Sequence, residues 1–311
     1  MIKYILKRIL YLIPVMLLVT LIVFFLMSIT KGDPARIVVG ESASLEEVEA
    51  MRESMGLNDP FFIRYLRYVR DLFLHGNMGT SYKSGLPVMK EITSALPSTI
   101  RLSLAAITIA ILIGIPIGII SATKQYSFFD NFTMILGLIG ISMPVFWLGL
   151  LLILLFSVRL GWFPPSGLTS FRHVVLPAFT LGTQSIAVFA RMTRSSMLEV
   201  IRQDFIRTAF SKGLTDRKVY FKHMMRNGLV PIITILGSRL AYIMGGSMFV
   251  ETVFSIPGMG SLAMRCVQSK DIPTIQAVVI ITTVVSCIAY ILTDILYVVV
   301  DPRISLTESR E

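Results

Sequence analysis

Nine cations, Arg191, Arg194, Arg202, Arg207, Lys212, Arg217, Lys218, Lys222 and Arg226, crowd one stretch of this chain against only Glu199, Asp204 and Asp216. The stretch reads RMTRSSMLEVIRQDFIRTAFSKGLTDRKVYFKHMMR and lies between two apolar segments, which is where a cytoplasmic loop carries its positive charge. The chemistry open to these residues is docking, not bond making. Asp204 can cap a short helix from Phe205 to Lys212, and Gly213 suits a left-handed stop. Asp216 can cap a second helix from Arg217 to Arg226, which Asn227 and Gly228 would end. Ile206, Ala209, Phe210, Leu214, Val219 and Tyr220 would then form an apolar knob rimmed by cations, suited to a cleft with an acidic rim. The alternative is an amphipathic helix lying on the membrane, which leaves the glycine elbow without a purpose.

Arg239 is the second residue with chemistry in reach, because it falls midway along an apolar stretch between Pro231 and Glu251. An arginine at mid-membrane costs at least about 2.5 kcal/mol on insertion scales and turns to a bundle interior or a wet cavity. It either lines a solute path and attracts an anion such as a carboxylate, or pairs structurally with an acid or carbonyls of a neighbouring helix. Other chemistries find no footing in the string. There is no G-x-x-x-x-G-K-[ST] loop to hold nucleotide phosphates, no G-x-S-x-G and no H-E-x-x-H. Cys266 and Cys287, with His75, His173 and His223, have neither a disulfide framework nor metal-ligand spacing.

The elements that position these residues follow from composition. Hydrophobic residues make up 54% of the 311, charged residues only 15%, and mean hydropathy is +0.74, so the chain is an integral membrane protein. The formal net charge of +10 does not imply nucleic acid, because the basic residues gather at the ends of apolar spans. Six segments are long enough to cross a bilayer, near residues 9 to 29, 99 to 122, 132 to 158, 174 to 192, 229 to 249 and 275 to 299. Lys3, Lys7 and Arg8 precede the first, which is too long for a signal-peptide core and reads as a retained anchor with its N-terminus inside. Six spans return the C-terminus inside, and this count also puts the basic loop in the cytoplasm.

A hydrophilic insert from Lys31 to Pro97 then falls outside the cell. Its acids nearly balance its cations, and the charge rule weakens over a loop of that length. Ser44-Leu45-Glu46-Glu47, followed by Val48, Met51 and Met55, predicts a capped helix, and Pro60 to Leu74 a second with aromatic and leucine anchors. The insert serves either as a lid on the outer bundle or as a contact surface for an external partner. Within the spans, Pro116 between Gly114 and Gly118, Pro144 after Ser142 and Met143, and the pair Gly245-Gly246 interrupt regular helix or permit close packing. Together they describe a bundle able to rock between two arrangements.

At this point the residues carry a resemblance. Arg207-Thr208-Ala209, then Lys212-Gly213-Leu214, then His223-Met224-Met225-Arg226-Asn227 and Pro231 resemble the EAA-type coupling loop of binding-protein-dependent ABC importer permeases. Gly32-Asp33-Pro34, Gly76-Asn77-Met78-Gly79 with Ser81, Ser142-Met143-Pro144, Gly245-Gly246, the run Glu251 to Gly260, and Asp294 with Tyr297 and Asp301-Pro302-Arg303 are similar to the dipeptide, oligopeptide and nickel permease family. The likeness is to its first-subunit type and covers essentially the whole chain. Arg207 departs from the glutamate usual at its position, and Arg239 replaces what is commonly an uncharged residue.

The resemblance implies an all-α polytopic membrane protein of six transmembrane helices with the type I ABC importer, MetI-like permease fold. Residues 1–30 would be the anchor, 31–97 the extracellular insert, 98–300 a permease core with coupling loop 193–228, and 301–311 a cytoplasmic tail. It implies no catalytic, cofactor or metal site in this chain, and ATP with Mg held by two partner ATPase subunits. A second permease chain would complete a heterodimer, an extracellular or periplasmic solute-binding protein would deliver substrate, and the bilayer of the cell (inner) membrane would be the medium. Asp204, Arg207, Ala209, Gly213, Leu214, His223 and Asn227 would form the coupling loop, Arg239 would be the pathway candidate, and Pro144, Gly245, Gly246, Glu251, Pro257, Gly258 and Gly260 would serve gating or packing. Peptides are the expected solute, with nickel or a metal chelate as the alternative. A secondary transporter is the contrasting class, and it calls for membrane acids of which Asp294 is the one clear candidate.

Overall fold

A computed structural model describes residues 2–29, 32–40, 42–215 and 218–300. The described secondary structure is helical: α1 Ile2–Ile29, α2 Pro34–Val39, α3 Leu45–Ser54, α4 Phe61–His75, α5 Val88–Thr123, α6 Phe128–Ser142, α7 Val145–Leu152, α8 Phe171–Ile201, α9 Asp204–Ser211, α10 Met225–Gly228, α11 Val230–Val253, α12 Met259–Ser269 and α13 Ile272–Val300. Widened π-helical turns follow α7 over Ile153–Arg159 and precede α10 over Val219–Met224. The chain divides into two units, one of Ile100–Ile256 with the segment from Ile288, the other of Ile2–Thr99 with Pro257–Cys287. The insert thus shares a unit with α1 and with Pro257–Cys287.

In that second unit each short helix has a local cause. Asp33 caps α2, with its carboxylate accepting from Ala35 N at 3.1 Å and Pro34 in the first helical position. Arg52 of α3 reaches back to Asp33 at 2.7 Å. Ser44 and Glu47 close the expected capping box on α3, at 3.2 and 2.8 Å. The Ser44 N–H, at 2.8 Å, and the Ser44 hydroxyl, at 3.0 Å, both donate to the exposed Glu47 carboxyl and hold it below its ordinary range. The aromatic face of α4 meets α1, with Phe24 against the rings of Phe61, Tyr65 and Tyr68 at 5.4 to 5.7 Å. Asp271 knits the unit together, since its buried carboxylate accepts from the Ser81 hydroxyl, from Tyr82 N at 3.0 Å and from Thr274 Oγ1 at 2.9 Å.

In the first unit the helices are long because backbone groups in hydrocarbon must be satisfied within the segment. Across both units, five helices among the described residues are long and apolar enough to span, at Leu10–Ile29, Val88–Thr123, Phe171–Ile201, Val230–Val253 and Ile272–Leu296. The expected third span, 132 to 158, is not one helix. α6 and α7 with its π-helical continuation meet at 109°, so the described residues hold six spans only if this bent pair counts as one. Pro144 is the cause: it has no N–H to continue α6 and forces Met143 to extended angles, φ −74° and ψ 133°. α5 and α8 pack at backbone distance, since a Cβ on Gly114 would stand 2.7 Å from the Ile186 carbonyl oxygen and one on Gly118 2.5 Å from that of Ala190.

Candidate functional site

The basic stretch begins as a continuation of a span. α8 runs on to Ile201, so Arg191, Arg194 and Glu199 are helical residues, and α9 starts after only Arg202 and Gln203. Asp204 does not cap α9. Gln203 holds the cap position without a side-chain hydrogen bond, and Asp204 is the first helical residue, its carbonyl accepting from the Thr208 hydroxyl at 2.9 Å. Its charge still suits the positive end of the helix dipole. The elbow is as expected: Gly213 has φ +72°, and its N–H donates to the Phe210 carbonyl at 2.9 Å. Asp216 and Arg217, the predicted cap and start of the second helix, lie outside the described residues. That second helix is a π-helical turn leading into α10, and Asn227-Gly228 do not end it, because Leu229 N–H donates to the Met225 carbonyl at 2.9 Å and α11 follows at once. His223 sits in the π-helical turn, and its carbonyl accepts from Asn227 Nδ2 at 3.1 Å.

The expected apolar knob is divided between two roles. Ile206, Ala209 and Val219 are buried in this chain's own core with Met197, Val200 and Met224, and Leu214 and Tyr220 pack at its edge. Phe205 and Phe210 are the large apolar residues left outside, each 39% exposed. With exposed Arg207, Thr208, Lys212 and Gly213 they form the outward face of α9 and its elbow. Burial on one face at helical spacing thus anchors α9, and the other face presents two aromatics among cations. Sequence periodicity carried this signal, in the three-residue spacing of Ile206 and Ala209.

One feature of this region was not read from the sequence. Asp130, with no exposure, accepts from Arg194 Nε at 2.6 Å and Nη2 at 2.7 Å, a two-point ion pair between α6 and α8. The residues stand 64 apart in sequence and no local spacing joins them.

Arg239 lies on α11, its guanidinium carbon 5.5 Å from the centroid of the Tyr242 ring. Its Nε is buried without a hydrogen-bond partner among the described residues. The Tyr242 hydroxyl donates to Gln184 Oε1, and Gln184 Nε2 donates to the Ile141 carbonyl at 3.4 Å. Polar groups of α8 and α11 therefore meet a carbonyl at the end of α6, just before the Pro144 break.

The gating and packing candidates separate. Pro144 makes the break. A Cβ on Gly245 would meet nothing within 4 Å and one on Gly246 only the Leu181 side chain at 4.0 Å, so this pair is not a close contact within the chain. Glu251 is fully buried, and its carbonyl accepts from Ile256 N–H at 2.7 Å in the turn that ends α11. In the other unit, Pro257 precedes Gly258, the cap of α12, and Gly260 is the second residue of that helix. Glu91, Cys266 and Asp271 bring potential metal-ligand atoms within 4.8 Å of one another, a cluster that sequence spacing did not reveal. Asp271 is already committed to three hydrogen bonds, and burial pushes the Cys266 thiol up to about 11, so the group reads as packing.

Residues 114–306 match the family model described as binding-protein-dependent transport system inner membrane component, and residues 1–105 match the model of the N-terminal part of such membrane components. The chain is 37% identical to the dipeptide transport system permease protein DppB of Alkalihalophilus pseudofirmus, over 98% of this chain and 99% of that one. It is 40% identical to the oligopeptide transport system permease protein AppB of Bacillus subtilis, and 39% to the glutathione transport system permease protein GsiC of Salmonella paratyphi A, each over 98% of this chain and 99% of the relative. Among solved structures, an inward-facing MetNI methionine ABC transporter chain aligns with TM-score 0.56 at 17% identity, over 68% of this chain and 97% of that one. A chain of an amino acid ABC transporter aligns with TM-score 0.53 at 16% identity, over 67% and 94%. At that identity the likeness is one of fold.

Proposed function

The chain belongs to the family of binding-protein-dependent transport system inner membrane components, and on that premise we propose that it is the permease subunit of an ATP-binding cassette importer that takes up short peptides. The observation that carries the reading is α9, anchored by Ile206 and Ala209 and offering Phe205, Arg207 and Phe210 outward. This is a shape for seating in a cleft on a moving partner. The chain has no phosphate loop, so ATP and Mg belong to two ATPase subunits, each taking one such helix. A second permease chain completes a heterodimeric pathway, and an external or periplasmic binding protein delivers the solute. Both termini and α9 face the cytoplasm of a cell (inner) membrane, in keeping with the charge asymmetry.

Nucleotide acts by binding one arrangement of the assembly better than the other, which draws the paired α9 helices together and switches access. Dipeptide, oligopeptide and glutathione, the solutes in the relatives' names, all carry a free carboxylate, and the buried Arg239 Nε, without a hydrogen-bond partner among the described residues, supports Arg239 as the group that meets it. The test is reconstitution of this chain with its ATPase and permease partners in vesicles. ATP-dependent accumulation of a labelled tripeptide is the expected result, and accumulation by the lone chain under an ion gradient would overturn the reading.

A further inference from the structure

The third residue of α6, Asp130, is held by three residues through four hydrogen bonds. Ser127 Oγ accepts its N–H at 3.2 Å, Tyr126 N–H donates to its carboxylate at 3.0 Å from a turn with φ +62°, and Arg194 takes both oxygens. A buried ion pair adds little net stability compared with an apolar pair of the same volume, so its use here has to be geometric. An Arg fork on a carboxylate fixes rotation as well as distance, which a point charge such as Lys does not.

The surroundings show what the fork joins. On one side α8 continues without interruption from Arg194 to Ile201, and its Met197 and Val200 pack with Ile206 and Ala209 of α9. On the other side α6 leads from Asp130 to Ser142 and the 109° break. Further along these helices a cavity of about 220 Å³, lined by Gly137 and Gly140 of α6 and Thr183, Ala187 and Ala190 of α8, opens between them. Ile113 and Ile117 of α5 line it too, and a Cβ on Gly140 would stand 3.1 Å from the Thr183 side chain, so α6 and α8 touch along their length and the fork fixes their relative rotation at one end.

We propose that Asp130 and Arg194 are positioning residues that make α6, α8 and α9 one lever, so that displacement of α9 arrives at the Pro144 break as movement of α7. This rests on the importer reading, in which α9 is where the motor pulls. Without the fork, the end of α8 that carries α9 would turn against α6, and nucleotide would be hydrolysed with less movement at the break.

The test uses the assembled complex with spin labels at exposed Thr208 on α9 and exposed Leu138 on α6, measured with and without a non-hydrolysable ATP analogue. With the native pair, the 208 to 138 separation should stay narrow and shift by less than about 2 Å, the scale of a small helix adjustment. Arg194→Lys, which keeps the charge and loses the fork, and Asp130→Asn should broaden that distribution and lower tripeptide uptake per ATP about tenfold. An unchanged distribution and uptake ratio in Arg194→Lys and Asp130→Asn would overturn the lever. Absence of tripeptide uptake by the native complex would count against the peptide reading alone, because the distance measurement needs no solute.

Discussion

Gly213 matters for its backbone and Ala209 for its volume, and the two should fail differently. At φ +72° any residue with a Cβ is strained by about 1–2 kcal/mol, yet a Cβ there would meet nothing within 4 Å. Gly213→Val is therefore expected to leave the complex assembled while re-aiming the elbow, seen as hydrolysis with diminished uptake. Ala209 is 6% exposed in the core beneath α9, so Ala209→Leu overpacks it at a cost of about 1–3 kcal/mol and should lower the thermal midpoint of the complex in detergent. Cys266 gives a pH prediction. Burial raises its thiol from an ordinary 9 to about 11, so the folded chain keeps the proton that an unfolded chain would lose. Its contribution to stability is intact below pH 9 and declines as pH rises from 9 to 11. Alkylation by iodoacetamide should accordingly be negligible at pH 7 and rise steeply in alkali, and fast labelling at neutral pH would contradict the burial.

At the scale of elements, the Pro144 break and the close α5–α8 contact are where substitution should separate transport from assembly. Pro144→Ala restores the missing N–H and lets α6 run on into α7. The expected outcome is a complex that folds and hydrolyses ATP but transports poorly, checked by comparing the two rates in vesicles. Gly118→Leu should instead prevent assembly, because its Cβ alone would stand 2.5 Å from backbone, whereas Gly245→Ala meets open space and should be tolerated by this chain's own packing. These contrasts mark what was legible in advance. The capping box at Ser44, the left-handed Gly213, the apolar spans and the proline interruption are local patterns, written within a few residues. The 109° bend, the fork from Asp130 to Arg194 and the three donors on Asp271 are long-range meetings, and periodicity has no access to them. Asp204 failed as a cap for a related reason: α8 runs on to Ile201, so the chain re-enters helix at the aspartate itself and not after it.

For the whole molecule, the proposed function divides labour: this chain would supply a pathway and a handle, and partner subunits the energy and the solute. The face made of Phe205, Arg207, Thr208 and Phe210 is the handle on which that division rests. A cysteine at Thr208, which is exposed and outside the buried core of α9, should cross-link to an ATPase subunit in intact vesicles. The yield should change when a non-hydrolysable ATP analogue closes the ATPase pair, and an impermeant maleimide added outside the cell should not reach it. Labelling of residue 208 from outside, or cross-links to lipid alone in both nucleotide states, would contradict the account.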